Sequence, residues 1–215
     1  MNKKIKKKLV TLDDYSGYGN DVLYRMCKKA PKHTDIDQIV GKIWIIGRSY
    51  SASIERKAGS KMQDGVNFYS EHVAPLIKKS KIDKWIESVS SIRRLNDENI
   101  KLSLLAHKNL TDLFNDITGI NKRSLASKYL HFHCPRAFFI YDSIANRNVR
   151  KSLSDLLKAP PKKNKDKPTY KSYDGYDNEY SKFVSRCLFY RDNYLETEIG
   201  GLATPRKLDM DLLGY

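Results

Sequence analysis

Apolar residues recur three or four positions apart along most of this chain, and no segment alternates apolar and polar residues as a half-buried β-strand requires. Ile82, Trp85, Ile86 and Val89 show this helical spacing clearly. The pattern therefore predicts a mainly helical fold. Apart from residues 117–149, which are treated below, the predicted helices cover residues 20–29, 34–56, 64–78, 82–92, 100–117 and 178–195. Thr34 or Asp35 caps the second of these helices, and a break is predicted near Lys108 and Asn109. A last helix starts at Thr204 and Pro205.

Composition divides the chain into a basic N-terminal arm, residues 1–16, and a single helical domain, residues 17–215. Within that domain, residues 159–178 are rich in Lys, Tyr and Pro and lack periodicity, which is typical of a long loop. The tyrosines of this loop fit stacking on nucleic-acid bases and pinning of the loop to the domain equally well.

The net positive charge of the chain indicates the kind of molecule that it binds. Lys and Arg total 40 against 25 Asp and Glu, which gives a net charge of +15. Such an excess attracts polyanions, of which nucleic acid is the commonest. The alternative is a Lys-rich surface that merely reflects the base composition of the source genome.

The cysteines and the hydropathy exclude several other classes. The three cysteines are far apart and form no CxxC pair, so we expect no disulfide scaffold, no structural metal and no cofactor. No apolar run approaches the roughly 18 residues that a membrane span needs, so we expect no membrane partner. These features predict a cytoplasmic protein.

Residues 117–149 carry the most informative pattern. A helix ends at Thr118, residues 119–122 form a tight turn, and a second helix follows with Ser124 in its first turn, so that this hairpin covers about residues 110–132. A hydrophobic strap, residues 137–141, then leads to Asp142, which opens a helix over about residues 142–158. The predicted inner side of that helix consists of Ile144, Val149, Leu153, Leu156 and Leu157.

A helix, a tight turn and a second helix can hold a phosphate, because free backbone N–H groups and the helix dipole meet at the start of the second helix. This grip does not depend on base sequence. The alternative is that the charges of Lys122 and Arg123 are simply solvated. The predicted phosphate-binding residues are Gly119, Ile120, Asn121, Lys122, Arg123, Ser124 and Lys128.

The segment resembles the helix-hairpin-helix motif of the HhH-GPD superfamily of DNA glycosylases, in which a hydrophobic strap is followed by an aspartate. Gly119 and Ile120 match the hairpin, Ala126 matches the alanine of the second helix, and residues 139–142 match the end of the strap and the aspartate. Counted back from Asp142, the hairpin has one extra residue, and Asn121 or Lys122 replaces its second glycine.

The resemblance implies a two-lobed helical bundle with a cleft between the lobes, acting as a monomer on double-stranded DNA. It implies an enzyme that hydrolyses the N-glycosidic bond of a damaged or modified base flipped out of the duplex, with Asp142 as the catalytic residue. Ser124 occupies the position of the nucleophilic lysine of bifunctional members, which implies a monofunctional enzyme. Lyase activity through Lys122 stays open if the extra hairpin residue lies further along.

A carboxylate suits this chemistry because cleavage of a base–sugar bond builds positive charge on the sugar. The alternative for Asp142 is a plain helix N-cap. The candidates for a base pocket or a wedge are Trp44, Tyr50, Tyr129 and Tyr141. His131, His133 and Cys134 look like a metal cluster but fit core or surface positions better, because residues two apart on a helix do not face each other.

The sequence is also compatible with two other functions. One is a non-catalytic DNA-binding module that uses the hairpin only to grip phosphates. The other, weaker one is a nuclease, which would need Asp112, Asp116 and Asp142 to gather around a metal. A further hypothesis concerns the base that the enzyme would remove: it could be a bulky modified base of viral DNA, which would give the protein a role in antiviral defence.

Overall fold

The computed structural model describes residues 18–58, 68–158 and 173–214. Within these ranges the protein is mainly helical and has no β-strand, which confirms the predicted fold class. The basic arm and most of the predicted loop lie outside the described residues. None of the described helices is long and apolar enough to cross a membrane.

Nine helices form the framework of the described residues. They are α1 (Tyr18–Lys29), α2 (Ile36–Ser49), α3 (Ala74–Lys79), α4 (Ile82–Val89), α5 (Ile100–Thr118), α6 (Arg123–His133), α7 (Ser143–Lys158), α8 (Asn178–Tyr190) and α9 (Pro205–Leu213). A π-helical turn, Phe68–Val73, leads into α3. A second π-helical turn, Arg191–Leu195, and the short helix Glu196–Glu198 extend α8.

Helix α2 begins where the sequence predicts and ends earlier. The carboxylate of Asp35 caps it by accepting a hydrogen bond from the Gln38 N–H at 2.8 Å. The prediction that the helix runs to residue 56 is wrong, because Ser51 adopts a positive φ of 50° and the Ala52 N–H turns back to the Gly47 carbonyl at 2.8 Å. Residues 50–57 therefore form a loop, called here the return loop, that packs against the end of α2.

Helix α5 runs unbroken from Ile100 to Thr118, so the predicted break near Lys108 and Asn109 is absent. Lys108 instead forms an ion pair with Asp112 one turn later, at 2.5 Å. Helix α4 ends at Val89, three residues before the predicted boundary. A continuous α5 makes the first arm of the hairpin a single rod.

The buried hydrophobic residues form two clusters. The first collects side chains from α1 to α4, from the second half of α5 and from α6. The second collects side chains from the start of α5 and from α7, α8 and α9. Adjacent strap residues belong to different clusters, because Phe138 packs in the first and Phe139 in the second. Asp142 thus follows the point where the chain passes from one cluster to the other.

The inner side of α7 differs from the prediction at one position. Ala145, Val149 and Leu153 are buried, whereas Ile144 is 47% exposed. The reason is register, since the buried residues recur every four positions from 145 and Ile144 lies one position off that stripe. The side chain of Leu157 lies outside the described residues.

Candidate functional site

The hairpin turn is held in one conformation by local hydrogen bonds. Gly119 ends α5 with a left-handed φ of 71°, a conformation that glycine adopts without steric penalty. The Thr118 hydroxyl donates to the Phe114 carbonyl at 2.7 Å and accepts from the Ile120 N–H at 3.2 Å. The Asn121 side-chain oxygen accepts from the Arg123 N–H at 3.1 Å. The turn therefore presents a defined backbone surface.

The start of α6 has the character of an anion-binding site. The first N–H groups of a helix have no partner within the helix. The Asn121 side chain already accepts from the first of them, the Arg123 N–H, and the N-cap residue, Lys122, makes no side-chain capping bond to the next two. Ser124 and Leu125, which carry the next N–H groups, line a cleft beside the turn. A phosphate placed there would also interact favourably with the helix dipole.

That cleft has a volume of about 550 Å³ and is formed by three segments of the chain. These are the return loop, the hairpin from Ile120 to Lys128, and the end of the strap with the start of α7. Five basic side chains and a single carboxylate line the cleft, so its potential is positive. The basic residues are Arg56, Lys57, Lys122, Arg123 and Lys128, and the carboxylate is that of Asp142.

The basic side chains differ in what they can offer a ligand. Arg56 and Lys57 are exposed. Lys122 is buried and donates from Nζ to the Arg56 carbonyl. Arg123 is half-buried, and its Nε donates to the Asp177 carboxylate at 2.6 Å. The predicted phosphate contacts of Lys122 and Arg123 would therefore compete with contacts inside the protein.

Lys128 lies at the inner wall of the cleft, not on its surface. Its side chain is 1% exposed, and Nζ donates to the Ser124 hydroxyl at 2.7 Å and to the Tyr141 carbonyl at 2.9 Å. Burial lowers the pKa of Lys128, and the nearby Asp142 charge opposes this in part. The predicted phosphate contact of Lys128 would therefore compete with the hydrogen bonds that its Nζ makes inside the protein.

Asp142 is both fixed and accessible. Its Oδ1 accepts from the Ala145 N–H at 2.7 Å, so the N-cap role predicted as an alternative is confirmed. Its Oδ2 lies 3.6 Å from the Nζ of Lys128. The side chain is 31% exposed and lines the cleft. One oxygen is thus used for structure, and the other stays within reach of a bound molecule.

One face of α6 fixes the strap that leads to Asp142. The Ser127 hydroxyl accepts from the Tyr141 N–H at 3.0 Å, and the Nδ1–H of His131 donates to the Phe138 carbonyl at 2.9 Å. Together with Lys128, these residues follow helical spacing along a single face. His131 is completely buried, as expected for a core histidine, and burial lowers its pKa to about 4.

The predicted aromatic candidates separate into two groups. Tyr50 and Tyr141 line the cleft. Tyr129 is fully buried and donates its hydroxyl to His33 at 2.8 Å, so it is not available for stacking on a base. Trp44 is 48% exposed on α2 and is not among the residues that line the cleft. Ile144 is an exposed apolar residue on the cleft, at a position that the sequence assigned to the core.

Two charged residues of α9 belong to the surroundings of the site and were not predicted. Asp209 is buried and forms an ion pair with Arg206. Burial raises the pKa of Asp209 to about 6, and the Asp142 charge acts in the same direction. No local sequence pattern indicates this proximity. The basic run at Arg56 and Lys57 is visible in the sequence, but its position opposite the hairpin is not.

The acidic residues considered for a nuclease do not converge. Asp112 and Asp116 are not among the residues that line the cleft with Asp142. Among the described residues, no group of three His, Cys, Asp or Glu side chains is close enough to hold a metal ion.

Comparison of the chain with protein-family models, with characterised proteins and with solved structures finds no match in any of the three. The interpretation of the cleft therefore depends on its geometry and charge.

Proposed function

We propose that the protein is a DNA glycosylase that hydrolyses the N-glycosidic bond of a modified or damaged base, with Asp142 as the catalytic carboxylate. The observation that supports this most is the accessible carboxylate of Asp142 in a positively lined cleft, beside the start of α6. Binding of a polyanion alone does not explain this carboxylate, since its charge repels phosphate and an asparagine would cap α7 as well.

The hairpin supplies the contact with the DNA backbone. Free N–H groups at the start of α6 bind one phosphate, and Arg56 and Lys57 on the return loop bind another part of the backbone. These contacts do not read the base sequence, so they position the duplex while the cleft receives a nucleotide. The two hydrophobic clusters, with the cleft-lining residues near their junction, suit the two-lobed arrangement that the resemblance implies.

The chemistry follows from the position of Asp142. Departure of the base leaves a sugar with oxocarbenium character, and a fixed carboxylate stabilises that positive charge. The same carboxylate accepts a proton from the water that attacks the sugar. Because the Ala145 N–H holds Oδ1 in place, little reorganisation is needed during the reaction.

A base in a duplex must leave the stack before it can enter the cleft. Tyr50 and Tyr141 provide aromatic surface for the extruded base, and the exposed Ile144 provides an apolar group for the gap in the duplex. A cleft of about 550 Å³ lies within the usual range for small-molecule sites, about 300–1,000 Å³.

The test is the substitution Asp142→Asn, with mass spectrometry of bases released from a panel of damaged DNAs and modified viral genomes. Asparagine caps helices as well as aspartate does, so α7 should keep its start while the charge is lost. Loss of one electrostatic stabiliser typically slows a reaction by roughly 10²–10³. DNA affinity should stay the same or rise, because a negative charge has been removed from a positive cleft.

Asp112→Asn is the matched control, because it is the same chemical change on an exposed site outside the cleft. This variant should release bases at the wild-type rate. If Asp142→Asn and Asp112→Asn behave alike, Asp142 has no catalytic role.

The second candidate function is a DNA-binding module without catalysis. The exposed cations Arg56 and Lys57 and the hairpin turn support this function as well as they support the first. It predicts duplex binding that weakens steeply with salt and no released base from any DNA in the panel. That result would replace the glycosylase proposal.

A further inference from the structure

We propose that Lys128 is an amine nucleophile of the same site, and that the protein cleaves the DNA strand at an abasic sugar through an imine formed on Lys128. The inference rests on the proposed function, because the abasic sugar is the product of base removal. It reverses the monofunctional expectation that follows from Ser124.

The position of the amine carries the inference. The Lys128 Nζ lies 2.7 Å from the hydroxyl oxygen of Ser124, the residue at the position that the resemblance assigns to a nucleophilic lysine. One helical turn separates the two residues, so the Lys128 side chain reaches back along α6 to that place. The same Nζ is 3.6 Å from Asp142 Oδ2. The amine and the carboxylate thus line one cleft, and a sugar bound there would meet both groups.

The surroundings of the amine shift its protonation equilibrium towards the neutral form. Lys128 is almost completely enclosed, and burial lowers its pKa more than the Asp142 charge raises it. A buried lysine with a lowered pKa is the usual origin of Schiff-base reactivity. When neutral, the amine still donates to the Tyr141 carbonyl, and it accepts from the Ser124 hydroxyl instead of donating to it.

Lys122, the lysine of the hairpin turn, is less suitable. Burial lowers its pKa as well. Its Nζ, however, donates to the Arg56 carbonyl in the return loop. The cleft thus contains two lysines, Lys128 beside Asp142 and Lys122 bonded to the return loop, and their reactivity with an abasic sugar can be compared in the same protein.

The reaction balances without an oxidant or a cofactor. The neutral Nζ attacks C1′ of the ring-opened abasic sugar. The aldehyde oxygen takes one proton from the amine and one from solvent and leaves as water, which gives an iminium ion. The Asp142 carboxylate or a water molecule removes a proton from C2′. The electron pair of that C–H bond then forms the C2′–C3′ double bond, and the 3′ phosphate leaves with the electrons of the C3′–O bond. Hydrolysis of the imine returns the amine of Lys128 and releases an unsaturated aldehyde.

The experiment uses the full chain and a duplex with one pre-formed abasic site, in the presence of EDTA. Borohydride reduces an iminium ion to a stable secondary amine, so the cross-linked protein can be digested and the modified residue located by mass spectrometry. We expect the adduct on Lys128. Strand cleavage without borohydride should occur on the 3′ side of the abasic site.

The substitutions Lys128→Arg and Lys122→Arg separate the two lysines, because arginine keeps the positive charge and is not a nucleophile. Measured at saturating DNA, Lys128→Arg should abolish the adduct and the strand cleavage, whereas Lys122→Arg should keep the adduct on Lys128 whatever its effect on DNA affinity, because the Lys122 Nζ is bonded to the return loop. Lys84→Arg, the same change on an exposed residue that does not line the cleft, should keep both the adduct and the cleavage. An adduct on Lys122 or on scattered surface lysines, or no adduct with the wild-type chain, would overturn the inference. The wild-type peptide map decides the question even if Lys128→Arg does not fold.

The outcome is independent of the test for base release. Base release without a Lys128 adduct would leave the glycosylase standing and remove the lyase. A Lys128 adduct without base release from any DNA would leave an abasic-site lyase and remove the glycosylase.

Discussion

At the scale of single residues, Ser127 shows how the site depends on one buried hydroxyl. Its Oγ accepts from the Tyr141 N–H at 3.0 Å and donates to the Ser124 carbonyl at 2.9 Å. Ser127 is completely buried, so no water can replace these bonds. The backbone just before Asp142 is therefore fixed to α6 through this one side chain and its neighbour Lys128.

Ser127→Ala should destabilise the protein by about 1–3 kcal/mol, because it removes the acceptor of the half-buried Tyr141 N–H and leaves the Ser124 carbonyl without its donor. It should also slow base release, because Asp142 follows Tyr141 directly. Urea unfolding measures the first effect and the base-release assay the second. Ser143→Ala, an exposed change next to Asp142 on the other side, should alter stability little. Equal stability of the two variants would contradict this account of the strap.

At the scale of elements, the return loop is positioned by contact between backbones. Gly47 lies in the last turns of α2, and a Cβ placed there would be 2.9 Å from the Ser53 Cα. A backbone atom cannot move aside as the end of a flexible side chain can. The absence of a side chain at Gly47 therefore lets the loop turn back and bring Arg56 and Lys57 to the cleft.

Gly47→Ala should force the return loop away from α2 and destabilise the protein by about 1–3 kcal/mol, as overpacking generally does. DNA affinity should fall as well, because the loop carries two exposed cations of the cleft. Thermal unfolding and a DNA titration at fixed salt measure the two effects.

The matched control is Gly41→Ala on the same helix, where nothing lies within 4 Å of the added Cβ. This change should stabilise the protein by up to about 1 kcal/mol, since alanine favours a helix interior more than glycine does. DNA affinity that is reduced equally by both variants would exclude a specific role for the return loop.

At the scale of the whole molecule, buried histidines link both parts of the fold to pH. Burial lowers the pKa values of His33, His107 and His131 to about 4 and that of His133 well below its usual value. His33 bonds Asp83 at 2.6 Å, and His107 stacks on Tyr180 with ring centroids 3.6 Å apart. Each ring packs as the neutral form, so protonation opposes folding.

The free energy of unfolding should therefore fall as pH decreases from about 6.5 towards 4, because the unfolded chain binds protons in this window before the folded chain does. Above about pH 7.5 these groups should contribute no pH dependence. Asp209 acts in the opposite sense, since its pKa is raised to about 6, but it is one group against four. Urea unfolding across this range measures the slope, and a free energy that stays constant between about pH 7 and 5 would contradict the prediction.

The sequence by itself determined the local features of the site. Periodicity predicted the helices, glycine chemistry predicted the hairpin turn at Gly119, and the strap predicted that Asp142 opens a helix. These features arise from interactions within a few residues, so that a short segment contains the information. The N-cap of Asp142 and the left-handed Gly119 are of this kind.

Only the tertiary structure decided which side chains meet in the cleft. The return loop and the charged residues of α9 come from segments that are distant in the chain, and the side chain of Lys128 turns inward from α6. Burial, and not residue type alone, then determines the pKa values of Lys128 and Asp209. Tyr129 and Ile144 exchanged their expected environments for the same reason. Whether such a residue is buried depends on packing between segments that are far apart in the chain, and the sequence of one short segment does not contain that information.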